Sequence, residues 1–223
     1  MANSTIQRLL LVVLCALVAA IGVVLVAERP TEVTGTTNSS SPFDGPTMPP
    51  HLGAADFTLV DQNGHRVSLS EYRGMVVVLT FIHSLCHDTC PFMVEQIKGA
   101  LNELPGNGAG VPAIGVSVAP SEDTVSRRRA FLAKHELIGR LAFLNGPLSA
   151  MRRVWKAYAI QPVTPKIDHS TFVLLIDRRG FERVGFAADQ LTPDGLAHDI
   201  QVLEREPAET RQALTARRAR SGA

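Results

Sequence analysis

The sequence predicts an α/β fold built around one mixed sheet, and three observations carry that expectation. Apolar runs of strand length alternate with amphipathic stretches of helix length along the middle of the chain. Two turns of the form Asp-x-x-Gly, Asp61 to Gly64 and Asp177 to Gly180, each join a pair of short apolar runs as a hairpin would. Proline stands at or near the start of three helical stretches, at Pro91, Pro147 and Pro193.

Taken in order, residues 57–60 and 65–69 predict an opening β-hairpin, with Asn63-Gly64 at its tip because both residue types tolerate positive φ. Residues 75–82 are a continuous apolar and β-branched run behind Gly74, the pattern of a strand buried on both faces. A helix is expected to begin at Pro91, to carry Met93, Ile97, Leu101 and Leu104 on one stripe, and to end at Pro105-Gly106. Residues 111–118 predict the next strand, and Asp123 the N-cap of a helix running through Phe131 to about His135. Residues 141–144 suggest a short strand, after which Pro147 opens a helix with Met151, Val154 and Tyr158 on its apolar face. Residues 171–176 and 181–186 form the second hairpin, and Thr192-Pro193 caps a closing helix to about Glu204. The resulting order, ββ-βα-βα-(β)α-ββ-α, is that of a thioredoxin-like fold with an added N-terminal β-hairpin.

A preceding single transmembrane helix is expected from residues 9–27, which contain no charged side chain and as a helix would reach about 28 Å, near the thickness of a bilayer core. Val26-Ala27-Glu28 is a poor small-x-small cleavage site, which favours an uncleaved anchor over a cleaved signal peptide. The residues ahead of Cys15, Val12-Val13-Leu14, are not those of a lipidation site. The chain therefore divides into an N-terminal anchor (1–29), a flexible Ser/Thr/Pro-rich tether (30–54), one folded domain (55–206) and a basic C-terminal tail (207–223). A short N-terminus favours an N-in orientation, placing the domain outside the cytoplasm, on the periplasmic side of a bacterial inner membrane or its equivalent. The formal net charge of the 223 residues is +1, with no basic stripe interleaved with aromatics, so nucleic-acid binding is set aside.

The chemistry concentrates in Cys86-His87-Asp88-Thr89-Cys90-Pro91, directly after the buried strand. This places Cys86 in a strand-to-helix turn and Cys90 at a helix N-terminus, whose partial positive charge favours thiolate. The spacing also permits a disulfide, so Cys86 and Cys90 are a candidate redox-active pair. His169 precedes the strand at 171–176, on a loop that in a thioredoxin-like fold faces those cysteines. Two thiolates and an imidazole suit Cu(I), and with a further donor Cu(II), whereas structural zinc sites usually close with four Cys or His ligands. His83 and His87 flank Cys86 as less well placed donors.

At these residues the sequence resembles the Sco (SenC/PrrC-like) family of copper-binding cytochrome c oxidase assembly proteins. The likeness spans roughly 55–204 and includes LVDQNG at 59–64, LTFI at 79–82, Cys86-x-x-x-Cys90-Pro91, IGVS at 114–117, Asp168-His169-Ser170 and LLID at 174–177. It implies Cys86, Cys90 and His169 as copper ligands. The implied partner is the oxidase subunit carrying the binuclear copper site, or another copper protein, and the role is delivery of copper or reduction of that site's cysteines. Two departures stand out: Ala119 where the family usually has Asp, with the later acid kept as Asp123, and His83 where Tyr is common. A copper carrier rather than a turnover enzyme is the first expectation, and a thiol-disulfide oxidoreductase the alternative. A peroxiredoxin-like peroxidase is disfavoured, because Ser84-Leu85 precedes Cys86 in place of the Thr-x-x-Cys pattern.

Overall fold

The computed structural model describes residues 41–162 and 172–207. The expected anchor lies outside the described residues, as does most of the basic tail. Among the described residues no helix is long and apolar enough to cross a membrane.

Strands β1 (Thr58–Val60) and β2 (Arg66–Ser68) pair antiparallel as the opening hairpin. They are followed by β3 (Val77–Ile82), helix α1 (Thr89–Glu103), β4 (Ala113–Ser117) and α2 (Val125–Lys134). Next come β5 (Leu141–Leu144), α3 (Leu148–Ala157), β6 (Phe172–Ile176), β7 (Glu182–Ala187) and α4 (Pro193–Arg205). The main sheet runs β5-β4-β3-β6-β7, with β3, β4 and β5 parallel and β6 and β7 antiparallel to their neighbours. This is the thioredoxin-like layout with its added hairpin.

Every residue of β3 and β4 is buried, as a strand covered on both faces requires. Alternation along the strands divides the core. Val78 and Ile82 of β3, with Val173 and Leu175 of β6, face Met93, Ile97, Leu132, Leu196 and Ile200 of helices α1, α2 and α4. Val77, Leu79 and Phe81 face the opening hairpin and Met151, Val154 and Trp155 of α3.

The two Asp-x-x-Gly turns share one construction. Asp61 Oδ1 accepts from the N–H groups of Asn63 and His65, and Asp177 Oδ1 from those of Arg179 and Phe181. Of the Asn63-Gly64 tip only Gly64 has positive φ, as does Gly180 in the other turn. The aspartate carboxylate, rather than a pair of left-handed residues, therefore sets the turn.

Two helix starts differ from expectation. Helix α1 begins at Thr89, so Pro91 is its third residue, still within the first turn, where no intrahelical acceptor awaits an N–H. Helix α2 is capped by Thr124, whose hydroxyl accepts from Arg127 N, and not by Asp123, which is fully buried.

The expected tether also ends earlier than its composition suggests. The carboxylate of Asp199 on α4 accepts from the N–H groups of Asp44 and Gly45, and residues 46–54 then run along β7. Met48 N donates to Arg183 O, Gly185 N to Pro46 O and Glu182 N to Leu52 O. Gly45 lies so close to β7 that a Cβ there would stand 2.5 Å from the Phe186 ring. Composition misses this strap because prolines and glycines dominate it, yet its backbone is what it contributes. The strap covers one sheet edge; at the other, Phe143 of β5 donates its N–H to Gln62 Oε1 and its carbonyl accepts from Arg128.

Asp177 is 4% exposed and holds Arg179 and Arg183 as well as its own turn. Burial pushes its carboxyl up, but the Phe181 N–H and the two guanidinium groups outweigh that, and the net shift is downward. A lowered native pKa stabilises the fold fully above the ordinary aspartate range, and that stability is lost as pH falls through the native value. Asp177→Asn is expected to cost about 2–4 kcal/mol at pH 7 and to flatten the acid limb of stability against pH. Urea unfolding between pH 3 and 7 measures both; equal loss of stability at every pH would contradict it.

Candidate metal centre

Strand β3 ends at Ile82, and six residues carry the chain to the first turn of α1. Within this turn Cys86 is partly exposed and Cys90 fully buried. Both are thiols, not joined as a disulfide. Each sulfur accepts a backbone hydrogen bond: Cys90 N–H donates to Cys86 Sγ and His83 N–H to Cys90 Sγ, both at 3.4 Å. The N-cap residue Asp88 makes no side-chain cap, so the Cys86 sulfur takes an N–H of the first turn in its place. The positive end of α1 is thus aimed at Cys86, not at Cys90 as the spacing alone suggests.

The Cys90 thiol is pushed far above its ordinary range, first by its hydrogen bond with the Cys86 side chain and then by burial. The His83 N–H works in the opposite direction and is outweighed, so helix polarity does not determine this thiol. The two cysteines are linked through the Cys90 N–H bond to Cys86 Sγ, and the upward shift favours the protonated form of Cys90. A soft metal that displaces that proton meets two sulfurs already on one turn, which is the donor chemistry Cu(I) prefers.

A carboxylate absent from the sequence-level site organises the turn. Asp123, between β4 and α2, accepts from Ser84 N (2.8 Å), Ser84 Oγ and Ser117 Oγ. Its carbonyl, like that of Pro120, accepts from Asn145 Nδ2. Trp155 Nε1 donates to Ser117 O at 2.9 Å, fixing the exit of β4 from the other side of the sheet. The sequence marks Asp123 as an acid before a helix and as the later acid in the pattern of the family it resembles; for Ser84 it holds no signal of this role.

His169 lies outside the described residues, together with Asp168. The residues bounding that segment both stand at the cysteine end of the sheet. Phe172 is in ring contact with Phe81 near the exit of β3. Pro162 lines a cleft of about 510 Å³ with Ala119, Pro120 and Glu122. His83 points its Nε2 to within 3.2 Å of a Glu122 carboxylate oxygen, out of line for a hydrogen bond. His87 is exposed.

The unequal burial of the sulfurs sets their reactivity. A small alkylating reagent at pH 8 is expected to modify Cys86 first, with Cys90 following at least about tenfold more slowly until the domain is unfolded. Peptide mapping by mass spectrometry reads this, and equal labelling of the two would show that Cys90 is not shielded.

Residues 46–204 match the family model described as SCO1/SenC. Protein sco1 of Schizosaccharomyces pombe is 26% identical over 143 residues, 59% of this chain and 53% of that protein. The chain spans about half the length of the curated relatives it matches. ScoI of Bradyrhizobium japonicum, solved with copper bound, is 27% identical, covering 68% of this chain and 99% of that one with a TM-score of 0.60. Sco1 of Thermus thermophilus, solved in its apo form, is 26% identical over 72% of this chain and 96% of that one, with a TM-score of 0.58. With the family model spanning the described domain from the strap to α4, the chain belongs to the SCO1/SenC family.

Proposed function

We propose that this chain is a membrane-anchored, extracytoplasmic copper carrier that holds one copper ion through Cys86, Cys90 and His169 and serves assembly of the copper site of cytochrome c oxidase. The observation that carries this reading is the thiol pair itself. Cys86 and Cys90 lie on one turn, the Cys90 N–H donating to the Cys86 sulfur, with one sulfur partly exposed and the other buried. The copper-bound relative from Bradyrhizobium japonicum supports the choice of metal. His169 as third ligand is supported by the positions of Phe172 and Pro162, the nearest described residues on either side of its segment. The anchor at 9–27 and the orientation rest on the sequence alone.

As cargo, copper leaves by stepwise exchange: an incoming thiolate displaces one ligand at a time. Cys86 is the accessible entry point, since Cys90 lies beneath it. Regaining a proton at Cys90 then favours release, because that thiol is strongly disposed to hold one.

The unequal exposure of the sulfurs also favours a second reading, a thiol-disulfide oxidoreductase. Here the Cys86 thiolate attacks a partner disulfide, and Cys90 resolves the mixed disulfide. The partner leaves as a dithiol, and this chain as the Cys86–Cys90 disulfide.

Anaerobic titration of the full chain with Cu(I) and with Cu(II) decides between the readings. The carrier binds one copper per chain, loses it in Cys86→Ser and Cys90→Ser, and is weakened by more than about tenfold in His169→Ala. Copper binding unchanged in the two serine variants overturns the assignment. Full disulfide exchange without tight copper binding favours the second reading.

A further inference from the structure

Resting on the copper reading, we propose that Asp123 is a built-in counter-charge that sets the preference of the site for Cu(II) over Cu(I). Asp123 is 0% exposed. Its carboxylate is held by neutral donors only, the Ser84 N–H and the hydroxyls of Ser84 and Ser117. Among the described residues no cationic side chain forms an ion pair with it. Arg128, the cation that feels its field, spends its Nη1 on the carbonyls of Val60 and Phe143.

A carboxylate this deeply buried usually stands beside a cation. Here it is instead fastened to Ser84, two residues from Cys86, and its charge reaches the Cys90 sulfur. The other acid on this turn, Glu122, is about half exposed and so screened by solvent.

The sign follows from counting charge. Two thiolates and Cu(II) sum to zero, whereas the same two sulfurs around Cu(I) carry one negative charge. A fixed buried negative charge nearby repels the second assembly and leaves the first unaffected to first order. Asp123 therefore acts as a specificity-setting neighbour through its charge. Its three acceptor bonds hold it in place, so the charge cannot move away when the metal is reduced.

The test compares Asp123→Asn, which keeps the shape of the carboxylate and removes its charge, with Ser117→Ala, which removes one hydrogen bond and keeps the charge. Asp123→Ser is a second neutral replacement, small enough to fit should the amide disrupt packing. In the full chain, Cu(I) and Cu(II) dissociation constants are measured by chelator competition and the Cu(II)/Cu(I) midpoint by redox titration. Neutral variants are expected to lower the Cu(II)-over-Cu(I) preference about tenfold, which for one electron is an upward shift of about 59 mV. Ser117→Ala is expected to keep the wild-type preference. A folded neutral variant with an unchanged preference and midpoint overturns the counter-charge, as does an equal shift in Ser117→Ala, which marks a packing effect. Absence of copper binding by the wild-type chain instead defeats the reading on which this one rests.

Discussion

The architecture of the site depends on one buried carboxylate bridging the ends of two neighbouring strands. Parallel strands β3 and β4 leave the sheet side by side, their last backbone bond running from Val118 N to Ile82 O. Asp123 adds a side-chain tie, binding Ser84 after one strand and Ser117 at the end of the other. Asn145, after β5, closes the third neighbour onto the same turn through the carbonyls of Pro120 and Asp123. Three successive parallel strands thus have their exits tied by side chains that reach sideways across the sheet end.

What this rigidity delivers is a difference between two cysteines of the same motif. Cys86 lies in the turn that Ser84 fixes, and its sulfur takes an N–H of the first turn of α1. Cys90 sits in the first turn of the helix and packs into the core with Met93 and Val94. One sulfur is accessible and faces the positive helix end; the other is shielded, and its hydrogen bond with the Cys86 side chain, then burial, pushes its thiol up. A symmetric, fully enclosed pair would trap a metal, whereas an exposed pair would oxidise without control. On the carrier reading proposed above, the unequal arrangement suits transfer in steps, with one sulfur as door and the other as hinge.

Much of this fold was legible because its signals are local. The uninterrupted apolar run before Ile82 could only be a central strand, and the two Asp-x-x-Gly segments announced hairpins through their own turn chemistry. The cysteine motif, too, is local, so its place at a strand-to-helix junction followed from its neighbours. Misreadings arose where a residue's role is set by distant partners. Asp123 has the composition and position of an N-cap, and only the folded chain shows its carboxylate turned inward to Ser84, with Thr124 capping in its place. The strap at 44–54 looked like linker because its contacts are backbone bonds to β7 and to Asp199, which leave no periodic trace.

The sheet's mixture of directions brings the start of β6, far along the chain, to the same end as cysteines near its middle. With β4 parallel to β3, the loop leaving β4 emerges beside the loop leaving β3. With β6 antiparallel to β3, it is the first residue of β6, Phe172, that stands at this end, and the pairing of Thr80 with Val173 fixes where this happens. An all-parallel sheet would send the β6 entry to the opposite end, some five residues of strand away. Reversing the direction of one strand is therefore what lets three separate segments share one end of the sheet: the cysteine turn, the Asp123 turn and the approach to Phe172. An arrangement assembled from three segments forms only once the sheet has formed, so the geometry of the cysteine turn and folding are linked.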